Sequence, residues 1–108
     1  MKSTVLALLT ACLLAGPVLA RDFGPGTEIT KVKAVVRAGI GPAANVSVSH
    51  DWAMCIASRD GQDMSVLLQR VGGKWKIIDR DGGAWDLATL RAKGIPASDA
   101  TTLHKTYQ

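Results

Sequence analysis

The strongest constraint on the fold is a pair of apolar segments separated only by Gly72-Gly73. The segment before the pair, 64–71, carries Val-Leu-Leu, and the segment after it, 74–79, alternates large apolar residues with lysines. Two adjacent glycines can both adopt positive φ, which a tight turn between antiparallel strands requires. The stretch therefore predicts a β-hairpin.

A second strand-like segment, 45–58, precedes this hairpin. Its first half alternates valines with serines, and its second half, 52–57, places apolar side chains on both faces, which is typical of a central strand covered on each side. The Asp-Gly pair at 60–61 is a turn signal. We expect one long strand, bent near His50-Asp51, and three antiparallel strands in all.

The segment 27–38 admits two interpretations. Its apolar residues recur at spacings of three and four, as on one face of a helix, whereas its valines favour a strand. Glu28 suits the first turn of a helix, and Thr27 or Thr30 is the expected cap. We predict a helix that ends at the glycines near position 40.

After Gly82-Gly83 the period becomes helical. Residues 85–93 predict a short helix ending at Gly94, and residues 99–105 predict a second one capped by Ser98. The expected fold is therefore a single α+β domain over residues 27–108. It has an N-terminal helix packed on a three-stranded or slightly larger antiparallel meander, followed by two short helices.

The first twenty residues resemble a secretory signal peptide. Lys2 precedes an apolar run, and small residues end at Ala20, where we expect cleavage. The run is shorter than the about 20 apolar residues needed to span a bilayer. Lipidation at Cys12 is a rival route, which the apolar residues after it disfavour. We expect a periplasmic or secreted protein without stable membrane insertion, beginning with a flexible leader at 21–26.

Composition excludes several classes of protein. After cleavage only Cys55 remains, so the domain depends on its hydrophobic core and not on disulfides. Residues 21–108 carry 12 basic and 9 acidic side chains, a net charge of +3. The basic residues are dispersed, without the basic stripe that nucleic-acid binding proteins show.

The order of three motifs carries a resemblance. "DWAMCIAS", "SVLLQRVGGKWKIID" and "GGAWDLATLRAKGIP" follow one another over residues 51–96. This run resembles small secreted bacterial proteins of uncharacterised function, and its hairpin is similar to that of cystatin-like and NTF2-like α+β folds. The resemblance implies a helix on a curved antiparallel sheet, and it implies no activity.

The loop from Asp79 to Gly83 is the first candidate site. Asp79 and Asp81 beside Gly82 and Gly83 suggest a cation loop, but the match to a calcium-binding loop fails after two ligands. The glycines before a helix suggest an anion site, which the aspartates would repel. The third interpretation is a strand-to-helix joint. We expect no metal and no cofactor.

Other polar residues form no catalytic set by spacing. His50 and Asp51 are neighbours on an expected strand, so their side chains should point to opposite faces. Trp85 follows two glycines in a short helix, and we expect it to be partly exposed and able to anchor a partner.

Three functions follow from these observations. The preferred one is a non-enzymatic binding or accessory protein, of partner-binding or inhibitor type, acting on a protein of the envelope. The first alternative is a subunit of a homo-oligomeric envelope assembly, a homodimer at its simplest, formed through an exposed strand edge. The second alternative is a small metal-dependent hydrolase that uses His50 and the Asp79/Asp81 loop.

Overall fold

The structure, a computed structural model, describes residues 21–108. The predicted signal peptide at 1–20, with Cys12, lies outside the described residues. Within 21–108, no helix combines the length and apolar character needed to cross a membrane.

The N-terminal segment is a helix, α1, from Gly26 to Gly39. It buries one stripe, Ile29, Val32 and Val36, so the spacing of three and four outweighs the strand preference of the valines. The expected threonine caps are wrong, because the helix already begins at Gly26 and Pro25 is its N-cap. Proline has a fixed φ and no N–H to satisfy, so it suits a helix start.

Four strands follow and form an antiparallel meander in sequence order. They are β1 (Ala43–Ser49), β2 (Trp52–Arg59), β3 (Gln62–Val71) and β4 (Lys74–Asp81). The turn at Gly72-Gly73 has φ values of 60° and 79°, as the predicted hairpin requires. The predicted α+β class, with a meander slightly larger than three strands, is confirmed.

The single long strand expected over 45–58 is wrong, because the chain reverses at His50-Asp51. Ser49 pairs with Trp52, so these two residues form a tight turn between β1 and β2. His50 adopts a φ of 54°, a conformation that residues other than glycine rarely adopt. Without a glycine, the sequence gives no signal of this turn.

The sheet separates two hydrophobic cores, as the doubly apolar stretch 52–57 predicts. Ala53, Cys55 and Ala57 face α1, and Met54 faces the C-terminal helices. Those helices are α2 (Leu87–Ala92) and α3 (Ala97–Leu103), followed by a 3₁₀ turn (His104–Tyr107). β2 is thus a central strand covered on both faces.

Both ends of the described chain are attached to the sheet. Phe23 exchanges backbone hydrogen bonds with Val46 and Val48, each 2.8 Å long, and so lies along the outer edge of β1. At the other end, the buried Thr106 hydroxyl donates to Ser47 Oγ at 2.8 Å. The last turn therefore closes the hydrophobic core between the sheet and the helices α2 and α3, which we call the C-terminal core.

Candidate functional site

The predicted loop does not assemble a metal site. Asp79 and Asp81 lie at the end of β4, and Lys93 from the turn after α2 donates to Asp79 Oδ2. This hydrogen bond lowers the pKa of the Asp79 carboxyl. Within residues 21–108, no group of three or more histidines, cysteines or carboxylates is placed to hold a metal ion. The pair that the sequence singled out thus has a lysine, and no third ligand, beside it.

Gly82 and Gly83 line a small depression of about 150 Å³ together with Ser65 and Tyr107. The Ser65 hydroxyl donates to the Gly83 carbonyl at 2.8 Å and lies 2.6 Å from the Tyr107 hydroxyl. Neither glycine has a positive φ, and a Cβ on either would meet nothing within 4 Å. The two glycines connect β4 to α2 without a conformational need for glycine.

The partial exposure expected for Trp85 is wrong. The side chain is 5% exposed and lies in the C-terminal core with Leu67 and Leu90. Its ring is covered by the ammonium of Lys93, 4.9 Å from the ring centre, and its backbone N–H donates to Tyr107 Oη. Trp85 therefore holds α2 onto the sheet and is not available as a surface anchor.

His50 and Asp51 do not act together, because each has a partner elsewhere. His50 Nδ1 lies 2.7 Å from Asp99 Oδ1 on α3, and Ser49 Oγ donates to the same oxygen at 2.6 Å. Hydrogen bonding to Asp99 raises the pKa of His50, whose side chain is 82% exposed. Burial raises the pKa of Asp99, but the hydrogen bonds from Ser49 and His50 outweigh it and leave that pKa lowered. The group ties α3 to the β1–β2 turn.

A second polar network lies on the α1 side of the sheet. Glu28 Oε1 accepts from Trp75 Nε1 at 3.0 Å and from Arg70 Nη1 at 2.8 Å. The Arg70 guanidinium also donates to Asp51 Oδ1 at 3.0 Å and lies 5.1 Å from the centre of the Trp75 ring. The hydrogen bond from Trp75 lowers the pKa of the Glu28 carboxyl. Four elements of the fold are therefore fixed around one indole ring.

An apolar groove opens beside this network, between α1 and the β3–β4 turn. We call it the α1–hairpin groove, and its volume is about 410 Å³. Its lining residues are Lys31, Ala34, Val35, Gly73, Lys74 and Trp75. The exposed Ala34 and the half-buried Val35 supply its apolar surface, the buried Trp75 borders it, and two lysines stand at its rim. Such a site suits an apolar group that carries a negative charge at one end.

The charge at this rim is available to a ligand. Lys31 Nζ lies 3.4 Å from Glu28 Oε2, yet its side chain remains 62% exposed. Within residues 21–108, Lys74 has no carboxylate within 4.0 Å. Exposed lysines attract anionic groups over roughly 8 Å at physiological ionic strength. The groove therefore combines an apolar floor with positive potential.

Sequence reasoning missed the groove because its parts belong to different elements. In the sequence, Val35 is one of the apolar residues whose spacing of three and four predicts α1, and Lys74 is one of several dispersed basic residues. The one available signal was the spacing of Lys31, Ala34 and Val35, which share one flank of a helix. No family model, no curated protein and no solved structure matches this chain.

Proposed function

We propose that this protein is a non-enzymatic binding protein of the periplasm or the cell exterior. It takes up, in the α1–hairpin groove, an apolar side chain of a partner protein that carries an acidic residue next to it. The observation that carries this proposal is the groove itself, where Ala34 and Val35 provide apolar surface beside the buried Trp75 and between Lys31 and Lys74.

The surroundings of the groove support this proposal. Trp75 is held by Glu28 and stacked by Arg70, so its ring is ordered before any partner arrives. A preordered site loses less conformational entropy on binding and so gains affinity.

The charge of the chain favours the same kind of partner. Residues 21–108 carry a net charge of +3, and two of the positive charges stand at the groove rim. Complementary charge raises the rate of encounter with an acidic partner and disfavours basic ones. An acidic residue beside the apolar anchor is therefore part of the proposed recognition.

The wider assignments are part of the same proposal. The signal-like sequence at 1–20 supports export, and the order of a helix and then an antiparallel meander supports a cystatin-like arrangement. The small helices on the opposite face, α2 and α3, are an addition to a helix on a sheet. The resemblance to small secreted bacterial proteins fits both assignments.

A pair of substitutions on α1 tests the binding surface. Ala34 is exposed and lines the groove, whereas Ala38 is exposed on the same helix outside it. Ala34→Glu places a negative charge among the apolar lining residues, and Ala38→Glu makes the same chemical change away from them. Neither substitution disturbs a buried residue, so both proteins should keep the wild-type circular dichroism spectrum.

The assay is capture from an extract of the bacterial envelope by the immobilised protein, followed by quantitative mass spectrometry. The proposal predicts a protein that the wild type and Ala38→Glu retain equally and that Ala34→Glu retains at least about tenfold less, the effect of about 1.4 kcal/mol. Equal retention by all three proteins would show that any partner uses another surface.

A further inference from the structure

The outer edge of β4 carries a charge pattern that matches a copy of itself. β4 is the last strand of the sheet, and within residues 21–108 it pairs only with β3. The opposite edge, on β1, is partly occupied by Phe23, which bridges Ser47. β4 therefore presents the longer row of unpaired backbone N–H and C=O groups.

A β-bulge arranges the charges of β4. Leu68 pairs with Ile77 and Leu67 with Asp79, so Ile78 is an extra residue in β4. Lysines and aspartates five residues apart would lie on opposite faces of a regular strand. With the extra residue, they lie on the same face as alternate residues of β3, in the pairs Lys74–Val71, Lys76–Gln69, Asp79–Leu67 and Asp81–Ser65.

The resulting stripe reads two positive and then two negative charges along one strand edge. Within residues 21–108, Lys74, Lys76 and Asp81 have no oppositely charged group within 4.0 Å, whereas Asp79 already holds Lys93. Ile78, at the centre of the stripe, is 47% exposed.

We propose that two copies of this chain pair through β4 in antiparallel orientation, about a two-fold axis between Ile77 and Ile78. This register places Lys74 opposite Asp81 of the second copy and Lys76 opposite Asp79 of the second copy. The two four-stranded sheets become one continuous sheet, with the exposed Ile78 side chains near the axis. A two-fold interface needs a surface that is complementary to itself, and this stripe satisfies that condition.

The charges select this register over others. Charged edge strands usually resist pairing, because like charges meet when a second strand arrives. Here both pairs of opposite charges form in the antiparallel register described, only one kind of pair remains when that register shifts by two residues, and like charges meet if the strands run parallel and in register. The inference rests on the edge of β4 and not on the groove. Lys74, the first residue of β4, lines the groove, but its side chain leaves the strand on the face opposite Trp75.

Charge reversal at one pair tests the proposed dimer by sedimentation equilibrium. Lys74→Glu would face Asp81, and Asp81→Lys would face Lys74, so each variant alone should dimerise at least about tenfold more weakly than the wild type. An equal mixture of the two variants restores both opposite-charge pairs, so it should form the heterodimer. Arg91→Glu, an equal change of charge on exposed α2, should leave the wild-type association unchanged.

Two results would overturn the inference. One is a wild-type protein that stays monomeric up to about 1 mM. The other is a dimer that persists in both single variants, which would place the interface elsewhere. The groove variant Ala34→Glu should dimerise as the wild type does, so a failure of the binding proposal and a failure of the dimer can be told apart.

Discussion

Trp85→Ala should unfold the C-terminal core and not merely weaken a surface contact. Replacement of a buried tryptophan by alanine costs about 3–5 kcal/mol, because apolar area is lost and a cavity remains. The ring is 5% exposed and also loses the ammonium of Lys93 above it. A domain of this size has a total stability of about 4–13 kcal/mol, so the substitution removes a large part of it.

Urea denaturation followed by far-UV circular dichroism measures this loss. With a slope of about 1–1.5 kcal/mol/M, the midpoint should fall by roughly 2–5 M. Trp85→Phe keeps much of the volume and should lose clearly less, about 1–2 kcal/mol. A loss below about 0.5 kcal/mol for Trp85→Ala, the size expected for an exposed residue, would refute the burial of this side chain.

Three further predictions follow from particular contacts. The pKa of His50 is raised in the folded protein and the pKa of Asp99 is lowered. Their pairing therefore stabilises the fold fully while Asp99 is ionised and the pH is below the unfolded pKa of His50, and this stabilisation is lost as the pH rises through the folded pKa of His50. The thermal midpoint should therefore fall as pH rises from about 6 to about 9, and His50→Gln should reduce that fall. Gly41→Ala should lower the free energy of unfolding by about 1–3 kcal/mol in a urea titration, because its Cβ would lie 2.1 Å from a backbone oxygen of β2. Gly83→Ala is the control, and because a Cβ there meets nothing within 4 Å, it should leave the stability unchanged or slightly raised. Burial raises the pKa of Cys55 to about 12, so a disulfide reagent at pH 8 should label this thiol only in urea, and rapid labelling of the folded protein would contradict its burial.

The parts of the fold that depend on local pattern were predictable from the sequence. Gly72-Gly73 can adopt the positive φ values of a tight turn between two apolar segments, and the structure has a hairpin turn there. The spacing of Ile29, Val32 and Val36 likewise identified α1 and its buried face. Both features depend only on residues that are close in the sequence, so the sequence alone predicts them.

The hairpin between β1 and β2 was not predicted, because no turn residue marks the reversal of the chain. His50 adopts a positive φ, but His50-Asp51 is not one of the pairs Asn-Gly, Asp-Gly or Gly-Gly that usually form such a turn. Its hydrogen bond to Asp99 helps to hold that conformation, and the two residues are 49 positions apart. A local pattern cannot indicate such a contact.

The site residues depended on contacts of this long-range type. In the sequence Asp79 belongs to a loop with three open interpretations, a cation site, an anion site or a strand-to-helix joint, and its partner in the structure is Lys93 from the next element. Partial exposure was expected for Trp85 because it follows two glycines in a short helix. Its burial depends on α3, which packs over the same face of β2 and β3. The α1–hairpin groove forms only where α1 and β4 meet, so the pattern of no single segment predicts it.

The proposed binding surface can be tested most directly with a small apolar anion. Anilinonaphthalene sulfonate combines aromatic rings with one negative charge, the chemistry that Ala34, Val35 and the rim lysines favour. Amide chemical shifts of the ¹⁵N-labelled protein, followed during titration, map where it binds. Binding in the α1–hairpin groove predicts saturable shifts in α1 around Ala34 and at Gly73, which weaken in Ala34→Glu and remain in Ala38→Glu. Shifts confined to the exposed residues of β4, or shifts that Ala34→Glu leaves unchanged, would contradict it.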